Sequence, residues 1–136
     1  MSKVEWKYVS PIQNDADIDA LEIKYHYALP ADLKECIVKN NAGMPKPAKF
    51  DTERSKNMVF GGLLSFNEGD DDNIYDYIDL FLSQDGRGLK MFPFGLDPFG
   101  NFYCIKDKKV VFYDQEGECA EVIADSFTQF LEMLHN

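Results

Sequence analysis

Phe92-Pro93-Phe94-Gly95-Leu96-Asp97-Pro98-Phe99-Gly100-Asn101-Phe102-Tyr103 sets two glycines and two prolines among five aromatic rings. Glycine reaches backbone angles that other residues avoid, and Asp-Pro is a strong turn opener. The stretch therefore predicts a tight, specific bend with rings buried on both sides of it. Downstream the pattern switches to period two. Residues 102–105 read as a strand, Asp107-Lys108-Lys109 as a turn, and residues 110–113 as the returning strand. Gln115-Glu116-Gly117-Glu118 is a second turn and residues 119–123 the next strand, which makes an antiparallel meander. The chain then predicts a helix capped by Asp125 or Ser126, with Ser126 and Gln129 at capping-box spacing and a face of Phe127, Phe130, Leu131 and Leu134.

Upstream of the bend the period is helical. Asp15 or Asp17 can cap a first helix carrying Ile18, Leu21 and Tyr25 at helical spacing. Leu29-Pro30 breaks it and opens a second, since proline fits a first turn; Leu33, Cys36 and Ile37 share its face. Asn40-Asn41-Ala42-Gly43 supplies a glycine stop, and Met44-Pro45-Lys46-Pro47 reads as a loop. Residues 58–66 are apolar around Gly61-Gly62 and predict a buried strand or a bulged pair of strands. An acidic loop follows, then a helix from about Asn73 with Ile74, Ile78, Phe81 and Leu82 inward, ending at Asp85-Gly86. Helices first, a sheet in the middle and a terminal helix give a single α+β domain over residues 1–136.

With 136 residues, 45% of them hydrophobic, the chain is long enough for one well-filled core. Its net charge of -10 repels phosphate backbones, which argues against a nucleic-acid partner and favours a basic protein one. The charged N-terminus resembles no secretory signal, and no stretch approaches the roughly twenty apolar residues needed to span a membrane. Cys36, Cys104 and Cys119 form no CxxC pair and read as reduced thiols. The expectation is a cytoplasmic protein that forms at most a weak dimer.

Catalytic signals are scarce. His26 and His135, the only histidines, lack metal-ligand spacing and read as surface residues. Cys104 lies between Tyr103 and Ile105 in an apolar strand with no basic neighbour to lower its pKa, so a core thiol is the better reading. No P-loop, dinucleotide fingerprint or nucleophile elbow is present. Asp70-Asp71-Asp72-Asn73 invites a calcium reading, yet Ile74 and Tyr75 fall where an EF-hand loop needs a ligand and a glycine. The expectation is no metal and no cofactor, with a cation in the acidic loop left as a weak alternative. A hydrolase built on Asp97 and Asp114 lacks the remainder of a catalytic constellation.

One polar feature stands out by region. Residues 57–86 contain no Lys or Arg but hold Glu68, Asp70, Asp71, Asp72, Asp76, Asp79 and Asp85. A solvated face accounts for most such charge runs. On a helical wheel, however, Asp76, Asp79 and Leu80 point away from the core, with Tyr75 and Tyr77 at its margin. An outward leucine between aspartates, edged by tyrosines, has the composition of a binding hot spot in a charged rim.

In this order the motifs resemble the SUKH superfamily, in its Smi/Knr-like branch of small bacterial proteins. The resemblance rests on Ile18 with Leu21-Glu22, on Leu29-Pro30-Ala31-Asp32-Leu33, on Asn41-Ala42-Gly43 and on Leu63-Leu64-Ser65-Phe66. It continues through the bend, the strand pair around Phe102-Tyr103-Cys104 and Val110-Val111-Phe112-Tyr113-Asp114, and the run from Ile123 to Leu131. It departs at Ala42, where the family often has glycine, and residues 44–56 match nothing in it. The resemblance implies a non-enzymatic immunity protein that holds and neutralises a cognate polymorphic or contact-dependent toxin domain; a regulatory scaffold of the same fold is the alternative. A nuclease toxin needs a basic surface to grip phosphate, so an acidic inhibitor suits it. The expected contacts are Glu68, Asp70, Asp71, Asp72, Tyr75, Asp76, Asp79 and Leu80, over roughly 800 Å² per partner.

Overall fold

Alternation along a strand sends successive side chains to opposite faces of a sheet, and here both faces are buried. The computed structural model describes residues 4–82 and 89–136. In chain order its first elements are β1 (Glu5–Lys7), α1 (Ala16–Tyr25), α2 (Ala31–Asn40), β2 (Met44–Lys46), β3 (Lys49–Phe50), β4 (Met58–Val59) and β5 (Gly62–Leu63). A 3-10 turn (Ile74–Asp76), α3 (Ile78–Leu82), β6 (Phe92–Leu96), β7 (Phe102–Lys106), β8 (Lys109–Asp114), β9 (Cys119–Ala124) and α4 (Phe127–Glu132) follow. Strands β5 to β9 form one five-stranded sheet in sequence order, antiparallel throughout. The fold is α+β, built on the meander.

Tyr103, Ile105 and Val110 face the larger core, together with Ile18 and Leu21 of α1, Leu33 and Ile37 of α2, and Phe127 and Phe130 of α4. The intervening residues Phe102, Cys104, Val111 and Tyr113 face a second cluster with Phe81 of α3 and Met91. Ring packing dominates the first. Phe60 lies 5.2 Å from Tyr103 and 5.1 Å from Phe130 between centroids, and Phe50 packs edge-on to Phe130 at 5.2 Å. Each such pair adds about 0.5–1.5 kcal/mol beyond the area it buries. The Tyr103 hydroxyl donates to the Val59 carbonyl at 2.7 Å, which lets this polar tip sit inside the core. Cys104 is a buried core thiol, and burial raises its pKa far above the usual value.

Several local expectations need correction. Asp15 makes no side-chain cap; the Asn14 carboxamide accepts from the Ala16 N–H instead, at 3.0 Å. Pro30 stands one residue before the first turn of α2, as its cap. The left-handed residue after α2 is Ala42 (φ 64°), not Gly43. Gly43 is required for space, since a Cβ there would lie 2.8 Å from the Asn40 carbonyl and 3.0 Å from the Trp6 ring. The Met44–Lys46 segment is a strand because its partner, β1, pairs with it from nearly forty residues upstream, beyond the reach of local patterning. His135 is half-buried rather than a free surface group, 3.3 Å from an Asp51 carboxylate oxygen.

The helix expected from Asn73 is two pieces. Asn73 accepts from the Asp76 N–H and starts a 3-10 turn, which stops at Tyr77 (φ -121°) before α3 begins. Tyr77 is held there by its ring, edge-on to Phe102 at 5.1 Å. The predicted end at Asp85-Gly86 lies outside the described residues.

Candidate partner-binding surface

The bend that opens the meander is the β6–β7 hairpin, and Asp97 builds it. One carboxylate oxygen accepts from the N–H groups of Phe99 (2.8 Å) and Asn101 (2.7 Å); the other accepts from the Asn101 amide at 3.0 Å. Gly100 takes a left-handed φ of 89°, and the Asn101 carbonyl accepts from the Asp97 N–H at 3.0 Å. Asn101 also accepts from the Gln115 N–H, tying this hairpin to the β8–β9 turn. In that second turn Asp114 accepts from the N–H groups of Glu116 and Gly117. Asp97 and Asp114 thus each build a turn. The bend does not bury all of its rings, because Phe99 stands 82% exposed at the tip.

The acidic loop is anchored by a polar network that the sequence reading missed. Asp70 accepts from the hydroxyls of Ser10 and Ser65, each at 2.7 Å, and from the Asn67 amide at 3.2 Å. The Ser65 hydroxyl, the Ser10 hydroxyl and the Asn67 amide, in that order, hold the Asp70 carboxyl below its usual pKa. Asn41, fully buried, donates to the Ser65 hydroxyl and the Ser10 carbonyl and accepts from the Phe66 N–H. Asn67 spans to the Gln13 N–H and the Pro11 carbonyl. The N-terminal segment, the end of α2 and the acidic loop are locked together through these side chains. The spacing Ser65-x-Asn67-x-x-Asp70 was the available signal, since such residues bond readily to nearby backbone.

The predicted contact residues fall into different surroundings. Asp70 is turned into the network. Asp79 accepts from the Tyr25 hydroxyl, whose pKa burial, this hydrogen bond and the Asp79 charge push up to about 12. Asp76 accepts from the Asn73 amide at 3.1 Å, and the Tyr75 hydroxyl donates to the Phe66 carbonyl at 2.9 Å. Leu80 is half-buried against the second cluster rather than pointing outward, because the break at Tyr77 shifts the wheel on which it was placed. Glu68 is exposed beside Asp17 and Lys24 in a hollow along α1.

Asp71 and Asp72 are exposed and come together on the rim of a groove of about 510 Å³. Its other walls include Met44, Tyr77, Pro98 and Gly100, and among the described residues none that lines it is Lys or Arg. Burial, with the charges of Asp72 and Asp76, raises the Tyr77 pKa, so the groove's aromatic wall lies in a negative field. Among the described residues, no group of three or more His, Cys, Asp or Glu side chains could hold a metal ion. No described helix is long and apolar enough to cross a membrane.

The sequence model of the SMI1 / KNR4 family (SUKH-1) matches residues 14–133. The chain belongs to this family. The match runs from the start of α1 through α4, leaving only β1 and the chain ends outside it. SMI1 / KNR4 (SUKH-1) proteins are in general immunity-type binding proteins without catalytic activity. No curated protein matches the chain significantly.

Proposed function

We propose that this SMI1 / KNR4 protein is an immunity protein that binds one cognate toxin domain, of nuclease or similar activity, and blocks it without catalysis in the bacterial cytoplasm. Family membership supports the class. The observation that carries the partner's chemistry is the groove rimmed by Asp71 and Asp72, with no basic side chain lining it among the described residues. A toxin domain that grips phosphate carries a basic surface, and an acidic counter-surface speeds its capture. Glu68, Asp71 and Asp72 make the contacts. Asp70 positions the loop, and Tyr75, Asp76, Asp79 and Leu80 are engaged within the fold.

The test is the association rate with the cognate toxin domain, once copurification from the native host has identified it, measured across salt. Raising ionic strength from roughly 0.05 to 0.5 M slows association about tenfold or more, because surface charges are screened beyond a few ångström at high salt. An Asp71→Lys, Asp72→Lys variant loses protection of cells expressing the toxin. Salt-independent association, or full protection by that variant, overturns the assignment.

A further inference from the structure

The hairpin tip and the acidic groove adjoin. The groove's wall residues Gly100 and Gln115 also line a second hollow, with Phe99, Asp114 and Glu116, where among the described residues there is likewise no Lys or Arg. Phe99 lines this second hollow, and its chain neighbours Pro98 and Gly100 line the groove. Its ring is solvent-exposed, while its own N–H is fixed by Asp97. The turn fixes the backbone that carries the ring, which lowers the backbone part of the entropy cost of using it as an anchor. The groove itself combines an acidic rim with the exposed Met44 side chain and the Tyr77 ring. Carboxylates beside an aromatic wall match the flat guanidinium and apolar stem of arginine.

We propose that the groove seats an arginine side chain of a basic protein partner while Phe99 inserts into an apolar pocket beside it. This rests on the immunity reading for the identity of the partner, and it brings in a part of the chain that the acidic segment alone does not reach. A second copy of this chain is a poor occupant, since pairing the faces would set Asp71, Asp72 and Glu116 of both copies against one another.

Two measurements on the full chain decide it. The first titrates N-acetyl-arginine methylamide at low salt and follows backbone amide shifts by NMR. Saturable shifts are expected at Gly62, Leu63, Tyr77 and Gly100, lost in an Asp71→Asn, Asp72→Asn variant and absent with N-acetyl-glutamine methylamide. No saturation at those amides, or an equal response from the variant, overturns the groove. The second compares wild type with Phe99→Ala against the cognate toxin domain identified by copurification. Phe99→Ala raises the dissociation rate roughly 10- to 100-fold, the range of a hot-spot truncation, and leaves the salt dependence of association unchanged. An unchanged dissociation rate with wild-type binding intact overturns the anchor alone. A wild-type chain that does not bind the domain overturns the immunity reading and the anchor with it, while the arginine titration still decides the groove. A wild-type dimer in sedimentation that Phe99→Ala dissolves assigns the face to self-association and overturns the proposal.

Discussion

Asp70 does more for this protein as an acceptor than as a surface charge. Its carboxylate gathers Ser10, Ser65 and Asn67, and these connect to the buried Asn41. Hydrogen bonds to a charged acceptor are stronger than neutral ones, and losing such an acceptor strands its donors. An Asp70→Asn variant is expected to lose about 1–2 kcal/mol of stability at neutral pH. Because the native carboxyl pKa is lowered from 3.8, the contribution is fully present above the unfolded value and is lost as pH falls through the lower native one. The gap between wild type and variant in urea denaturation therefore stays flat above about pH 5 and closes below the ordinary carboxylate value. A gap that widens toward acid contradicts this role.

Close approach between elements explains a glycine in the bend that turn geometry does not. β6 passes so near the Phe60 segment that a Cβ on Gly95 would lie 2.6 Å from the Phe60 ring and 2.8 Å from the Gly62 carbonyl. Phe60 cannot retreat, since its ring is also packed on Phe94, Tyr103 and Phe130. Gly95→Ala is expected to cost about 1–3 kcal/mol, the scale of an overpacked core, and thermal unfolding reads it directly. The same elements show how far local pattern reaches. β7, β8, β9 and α4 were legible because alternation, turn residues and the Ser126 cap are local, and Ser126 does accept from the Gln129 N–H at 3.0 Å. β1 and β2 were not legible, because their pairing is a long-range event with only three residues on each side. The break at Tyr77 escaped for a related reason: the ring's contact with Phe102 overrides a helical period that runs on through it. For the candidate surface, the acidic run was visible in sequence. Which acids face a partner and which hold the loop depends on Ser10 and Asn41, and neither carries a local signal.

At the scale of the whole molecule, the two faces of the sheet are covered from β6 to β8 while β9 is largely exposed, and the charge is unevenly distributed. α1, α2 and α4 close one side and α3 packs on the other, so neither sheet face near the bend is left for a ligand. The surface that remains beside the bend is its rim, where the acidic loop, the β6–β7 tip and the β8–β9 turn meet. Protein interfaces concentrate their energy in a few central apolar or arginine contacts inside a polar surround, and this rim offers both halves of that arrangement. The hydrogen-exchange footprint of the complex with the proposed cognate toxin domain tests the account most directly. Slowed exchange in residues 61–77 and 96–101, with α2 unchanged, is the predicted result. Protection centred on α1 and α2, with the acidic loop and hairpin tip exchanging as in the free chain, would contradict it.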